Sequence, residues 1–171
     1  MILRRATPAD LPAILAIYNE AALNTAATAD YEPSTLEVRT AWYEERMQKG
    51  LPVFVAEEGT EVLGWSSLSL YHARIGYRFT AEVSVYVAAE CRGQGVGKRL
   101  LPPLIEAGRA CGLHVLIASI DSENEASIRL HAAQGFRTVG ALSEVYTKFG
   151  RWLGVVYMEL RLSTDAAPPM P

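Results

Sequence analysis

Apolar positions along the chain change period several times, and each change marks an element. Ile2 and Leu3 ahead of Arg4-Arg5 predict a short opening strand over Ile2 to Arg5. Thr7-Pro8-Ala9-Asp10 is a helix start: threonine can cap, proline suits the first turn, and Asp10 favours the positive helix end. Leu11, Ile14, Leu15 and Tyr18 then recur at helical spacing, and this helix should fray near Asn24-Thr25. Residues 24–33 are small and polar and read as a loop. A second helix is expected from about Ser34 to Lys49, stopped by Gly50.

Leu51 to Ala56 and Glu61 to Leu70 read as two strands of a hairpin around a turn at Glu57 to Thr60. Tyr71 to Arg78 is a loop. Phe79 to Val87 is the next strand, and its alternation puts Glu82, Ser84 and Tyr86 on one face, with Ala81, Val83, Val85 and Val87 on the other. Cys91 to Gly97 is a glycine-rich turn, and Val96 to Ala110 a helix that Pro102-Pro103 should start late or kink. His114 to Ile120 reads as a buried strand, and Asn124 to Gln134 as a helix ended by Gly135. From Phe136 the pattern predicts a strand, a loop and a last strand from about Trp152 to Leu162. Ser163 to Pro171 is expected to be a disordered tail. The order β-α-α-β-β-β-α-β-α-β-β, with no internal repeat, predicts one α/β domain over residues 1–162.

A chain of 171 residues is long enough for one sizeable core. Net charge is −3 and the pI is about 5.6, and no block of five or more Lys/Arg occurs, so neither a nucleic-acid nor an anionic-membrane partner is expected. No stretch approaches the ~20 apolar residues of a membrane span, and the opening residues carry no signal-peptide pattern; a cytoplasmic protein is expected. Cys91 and Cys111 fit neither a disulfide framework nor a zinc spacing. His72 and His114 stand near no ligand constellation, so no metal is expected.

Candidate chemistry begins at Arg92-Gly93-Gln94-Gly95-Val96-Gly97-Lys98, between an apolar strand and a helix. Small residues let a ligand approach the backbone, and the first amides of the helix point outward at the positive end of its dipole, a ready place for a pyrophosphate. Arg92 and Lys98 add positive charge. The glycines alone fit a tight strand-to-helix connection equally well. A P-loop is excluded because Arg99 follows Lys98. A dinucleotide fingerprint is disfavoured because the turn lies past the middle of the chain, after antiparallel-looking strands.

Arg92, Gly95 and Gly97 after a central strand, followed by Asn124 and Ser127 on the next helix and then Gly135-Phe136, resemble the two ordered signatures of the GNAT superfamily of acyl-CoA-dependent N-acetyltransferases. Thr80 to Val87, Leu130-His131, Lys148 to Trp152 and Ile17-Tyr18-Asn19 are similar to its phosphinothricin and methionine-sulfone acetyltransferase subgroup, over nearly all of residues 2–162. The resemblance implies a mixed, mostly antiparallel sheet, flanked by helices and split at its central strands. It implies acetyl-CoA as co-substrate, with pantetheine along Val85, Tyr86 and Val87. The pyrophosphate would sit on amides from Arg92 to Lys98, that is Arg92, Gly93, Gln94, Gly95, Val96, Gly97 and Lys98, with Asn124 and Ser127 nearby. It also implies a homodimer, with the Lys148 to Val156 segment as a contact. Two departures stand out. Gly154 replaces an aspartate usual in the subgroup, and Ala29 replaces an aromatic residue.

Acetylating an amine requires removal of a proton from an ammonium, so a base or water relay is needed. Glu82 beside the cofactor strand is the candidate base. His131 occupies the place of a common GNAT tyrosine and is a candidate to protonate or hydrogen-bond the leaving sulfur, with Tyr86 a second candidate acid. Arg74, Tyr77 and Arg78, together with Glu82, are candidates to bind the acceptor, an arginine fork suiting carboxylate, sulfonyl or phosphinyl oxygens. Cys91 reads as packing, so direct attack by the amine is expected. The function expected is acetyl transfer to the α-amine of a small amino-acid-like substrate. A peptide acetyltransferase and a non-catalytic CoA-binding module are the alternatives.

Overall fold

A computed structural model describes residues 1–163; the expected tail at residues 164–171 lies outside them. The elements run β1 (Ile2–Arg5), α1 (Leu11–Asn24), α2 (Leu36–Gln48), β2 (Val53–Glu58), β3 (Glu61–Leu70), β4 (Thr80–Val87), α3 (Val96–Ala110), β5 (Val115–Asp121), α4 (Glu125–Ala132), β6 (Arg137–Lys148) and β7 (Arg151–Arg161). Their order is the one the apolar periodicity predicts.

Local chemistry sets the ends. A single 3-10 turn over Pro8–Asp10 precedes α1. The Asp10 carboxylate accepts from the Thr7 backbone N–H at 2.7 Å and the Thr7 hydroxyl at 3.0 Å. Arg4 on β1 donates to the same carboxylate at 2.7 and 2.8 Å and to Glu57 on β2 at 2.5 Å, tying helix entry to the sheet. Arg4 holds the Asp10 pKa down at about 2. At α2 the Thr35 hydroxyl accepts from the Val38 N–H at 3.3 Å.

Two expectations are corrected. The helix α3 neither starts late nor breaks at Pro102-Pro103, but runs from Val96 to Ala110. The two prolines leave the Lys98 and Arg99 carbonyls without a helical donor, and both residues are exposed, so water takes the place of the lost bonds. The stretch after Phe136 is a long hairpin with no loop inside it. β6 and β7 meet at Phe149-Gly150, whose φ angles of 52° and 70° suit the two-residue turn that matches strand twist.

The seven strands lie in the order β1-β2-β3-β4-β5-β7-β6. Every pairing is antiparallel except β4 with β5. Tyr86 packs on Tyr18 of α1, and Trp65 of β3 on Trp42 of α2, so α1 and α2 cover one face. On the other face the Ser66 hydroxyl donates to the Leu100 carbonyl of α3 at 3.2 Å. Leu100, Leu101 and Leu104 are fully buried there, each contributing about 2 kcal/mol of apolar burial.

The parallel pairing of β4 with β5 spans only Thr80↔Val115, Ala81↔Leu116 and Glu82↔Ile117. Beyond Glu82 the strands part, while β4 stays paired to β3 as far as Val87 and β5 to β7 as far as Asp121. The sheet is therefore split at its centre, and the β4 edge from Val83 to Val87 faces the gap with its ladder groups free of β5.

Candidate active site

Two cavities open at the split. The first, about 340 Å³, is lined by Glu82 to Tyr86 of β4, Ala118 to Asp121 of β5, Ala26 to Ala29 of the α1–α2 loop, and Asn124, Ser127 and His131. The second, about 510 Å³, runs along Val85, Tyr86 and Val87 to the glycine turn. Both share Val85, Tyr86, Asn124 and Ser127, so they are two arms of one groove.

The glycine turn is shaped for close approach. Gly93 and Gly95 hold φ of 77° and 82°, a region closed to most side chains. A Cβ on Gly97 would lie 3.0 Å from Leu130 of α4, so glycine is what lets α3 and α4 flank the groove closely. The first-turn amides of α3 have no helical acceptors and stand at its positive end. Gly93, Gly95, Val96 and Gly97 line the groove with Arg92. Gln94 and Lys98 do not. The Gln94 side chain instead donates to the Glu90 carbonyl at 2.7 Å. The Arg92 guanidinium pairs with Glu20 and reaches the Val87 carbonyl at 3.3 Å, so its charge is partly engaged. A free strand edge leading to an amide-rich turn fits a ligand with amide groups along its length and phosphate at its end, as acetyl-CoA has.

Asn124 is the N-cap of α4: its side-chain oxygen accepts from the Ser127 N–H at 3.0 Å. Four residues after Ser127, His131 is buried, with its ring edge-on to Phe136 at 5.1 Å. Its Nδ1 sits 2.8 Å from the Ser127 carbonyl oxygen. A carbonyl can only accept, so Nδ1 carries the proton and Nε2 presents a lone pair. Nε2 has no hydrogen-bond partner among the described residues. Burial pulls the His131 pKa below its ordinary value and keeps the ring neutral. The imidazole is thus arranged to accept a proton first, which reverses the order implied by a purely acidic role.

Strand alternation sorts the remaining groups. Glu82, Ser84 and Tyr86 face the α1–α2 side, and Val83 and Val85 the α3 side. Tyr86 stacks on Trp65 at 4.7 Å, and its hydroxyl donates to the Ala27 carbonyl at 3.4 Å. Burial raises its pKa well above the ordinary value, so it stays protonated.

Arg74, Tyr77 and Arg78 line neither arm. They stand on the loop leading into β4. Tyr77 packs against His72 at 4.9 Å, and Arg78 lies over Phe79 at 4.5 Å while donating to the Ile75 carbonyl at 3.3 Å. Cys91 is buried in the core, where burial pushes its thiol pKa up, which suits packing and not nucleophilic attack.

Several site residues escaped the sequence reading. Asp121 closes the end of β5, its carboxylate accepting from the Glu123 N–H at 2.9 Å and meeting the Tyr146 hydroxyl. Tyr146 also touches the Ala26 carbonyl at 3.1 Å. The buried Lys148 donates to the Thr28 carbonyl at 2.7 Å, and the Tyr31 hydroxyl to the Thr147 carbonyl at 2.5 Å. Together these contacts hold the α1–α2 loop over the first cavity. The one sequence signal was the alternation of Tyr146 and Lys148 in an otherwise exposed strand.

A split sheet with an amide-rich turn at one arm of the groove and a carboxylate and neutral imidazole at the other defines an acyl-CoA-dependent acyltransferase site. Residues 3–156 match the family model described as an acetyltransferase (GNAT) domain, and the chain belongs to the GNAT acetyltransferases. It is 45% identical to an L-methionine sulfoximine/L-methionine sulfone acetyltransferase of Salmonella typhimurium, over 98% of each chain. It is 43% identical to a phosphinothricin N-acetyltransferase of Alcaligenes faecalis, over 90% of this chain and 79% of the other. A Salmonella typhimurium acetyltransferase solved with its cofactor acetyl-CoA superposes with a TM-score of 0.96 at 44% identity, covering 98% of this chain and 97% of the other. The protein is thus an acetyl-CoA-dependent N-acetyltransferase.

Proposed function

We propose that the protein transfers acetyl to the α-amine of a small amino acid of the methionine sulfone, methionine sulfoximine or phosphinothricin type. The observation that carries this reading is that Glu82 and His131 line one small cavity that continues into the glycine-turn groove. The high identity to relatives named for these acceptors supports the substrate class.

Acetyl-CoA supplies a thioester whose carbonyl can be attacked. Val85 to Val87 would hold its amides, and Gly93 to Gly97 with Arg92 its phosphates, leaving Gln94 and Lys98 at the margin. The Glu82 carboxylate takes a proton from the acceptor ammonium, directly or through one water, to give the neutral amine. His131 Nε2 accepts the second proton, from the attacking nitrogen, and returns it to the departing sulfur. That order follows from its lone pair and lowered pKa. Tyr86 remains a protonated donor beside the reacting centre and a secondary acid. Asn124 and Ser127 position His131 by fixing the start of α4. Arg74, Tyr77 and Arg78 form the outer rim that draws in the acceptor's oxygens.

In this reading the protein acts in the cytoplasm, as a homodimer. The exposed apolar residues Val139, Leu142 and Val145 of β6, with Phe149 and Trp152 at the hairpin tip, support a subunit contact there. Light scattering at micromolar concentration checks it, and a monomer would remove the dimer.

A thiol-release assay with acetyl-CoA tests the function, comparing methionine sulfone, methionine sulfoximine, phosphinothricin, a polyamine and a short peptide. Turnover confined to the first three supports the proposal. Turnover with the peptide alone overturns the acceptor class, and cofactor binding without any turnover overturns catalysis.

A further inference from the structure

Beside the first cavity, on the α1–α2 face, lies a separate cavity of about 280 Å³. Its wall includes Ser34, Arg39, Trp65 and Asp30, and it shares Ser84 and Tyr86 with the first cavity. Three lining residues carry a buried polar atom without a hydrogen-bond partner among the described residues: Arg39 Nε, Trp65 Nε1 and Ser34 Oγ. Arg39 is 5% exposed and Trp65 1%. Leaving such donors unmade is costly, about 1–3 kcal/mol each and more for a charge. Three around one small space is the pattern of a site that receives acceptor oxygens.

Arg39 forms no ion pair among the described residues. Its guanidinium is held in place by rings, over Tyr18 at 4.0 Å and Trp42 at 4.7 Å. Aromatic faces fix a guanidinium plane without consuming its N–H donors, which stay available to a ligand. The one carboxylate on this cavity is Asp30, which is engaged by the Tyr18 hydroxyl. Arg39 and Asp30 leave the cavity without net charge, which suits a dipolar or zwitterionic group and disfavours a multiply charged phosphate. Ser84 follows Glu82 by two residues on the same strand face, a separation of roughly 7 Å. That is about the length of a small amino acid between its amine and its distal oxygens.

We infer that Arg39, Trp65 and Ser34 form an oxygen-binding subsite for the acceptor, taking a carboxylate or sulfonyl oxygen while the amine lies at Glu82. This rests on the amino-acid acceptor proposed above, and it assigns a specificity role to a helix that the cofactor groove does not touch.

Trp42 and Trp65 border the cavity, whereas the third tryptophan, Trp152, is 66% exposed, so tryptophan fluorescence reports on occupancy. Methionine sulfone, its carboxamide and methionine are titrated in the presence of CoA, against wild type, Arg39→Met and Trp65→Phe. The wild type is expected to give a saturable signal with methionine sulfone. Arg39→Met is expected to raise its dissociation constant and KM tenfold or more, and Trp65→Phe severalfold, with acetyl-CoA KM unchanged. If the bound oxygens are the carboxylate's, the carboxamide loses its sensitivity to Arg39→Met. If they are the sulfonyl's, methionine loses it. Folded variants, judged by circular dichroism, that shift all three compounds equally or not at all overturn the subsite and leave the acetyltransfer reading intact. Saturable binding abolished by Arg39→Met, with no turnover of any amino acid, keeps the subsite and overturns the acceptor reading.

Discussion

His131 Nδ1 lies 2.8 Å from the main-chain oxygen of Ser127, one turn earlier on α4, and this contact decides which ring nitrogen carries the proton. With Nε2 bare and the pKa lowered by burial, the ring is active in its neutral form. Activity should fall as pH drops through that lowered pKa. His131→Gln should reduce kcat by about 10²-fold or more and leave acetyl-CoA affinity intact. A pH–rate profile of both proteins checks this, the acidic limb being absent or moved in the variant.

The same burial links His131 to stability. Its folded pKa is depressed, so the unfolded chain takes up the proton first as pH falls below about 6.5. Stability contributed by the neutral ring is full above that pH and declines down to the folded pKa. Melting curves should show wild type losing more Tm across this window than His131→Gln.

Glu82→Gln keeps the shape of the first cavity and removes the basic carboxylate. A kcat loss of about 10²–10⁴-fold is expected, with the dissociation constant for acetyl-CoA unchanged. Stopped-flow turnover alongside calorimetric cofactor titration separates the two. An unchanged rate across pH would remove Glu82 as the base.

Gly154 has no room for a side chain. A Cβ there would stand 2.7 Å from the Leu142 carbonyl oxygen and 2.9 Å from Ser122 Oγ, and the former is backbone that cannot swing aside. Gly154→Asp, which restores the residue usual in the subgroup, should therefore destabilise the protein by about 1–3 kcal/mol and not raise activity. Thermal melts with and without the Ser122→Ala change test this, since only the Ser122 contact is relieved by it.

The carboxylate of Asp10 is 7% exposed and paired with Arg4. Its folded pKa of about 2, against 3.8 unperturbed, contributes about 2 kcal/mol that is present above pH ~4 and lost as pH falls toward 2. Asp10→Asn should remove that acid dependence, and urea midpoints between pH 2 and 5 measure it.

The element order and the glycine turn were legible because both rest on local rules: apolar period, caps and positive-φ glycines. Glu82 and His131 were legible because motif spacing placed one beside the central strand and the other on the helix after it. Other features were hidden from local rules. The proline pair in α3 looked disruptive until its orphaned carbonyls proved to face solvent. Arg74 and Arg78 looked like the acceptor's partners by residue type, but in the structure they lie on an exposed loop, and the buried arginine is Arg39. Tyr146 and Lys148 meet the Ala26 and Thr28 carbonyls across 120 residues of chain, a separation no periodicity reports.

By itself the sequence determined the strands and helices, their caps, and a turn able to take phosphate, since each depends on residues a few positions apart. Only the tertiary structure decided that the β4–β5 pairing ends after Glu82, that the His131 lone pair faces the groove, and that Arg39, Trp65 and Ser34 border one cavity. Those outcomes depend on which distant surfaces pack together and on burial, which sets both the tautomer and the charge of the groups that meet there.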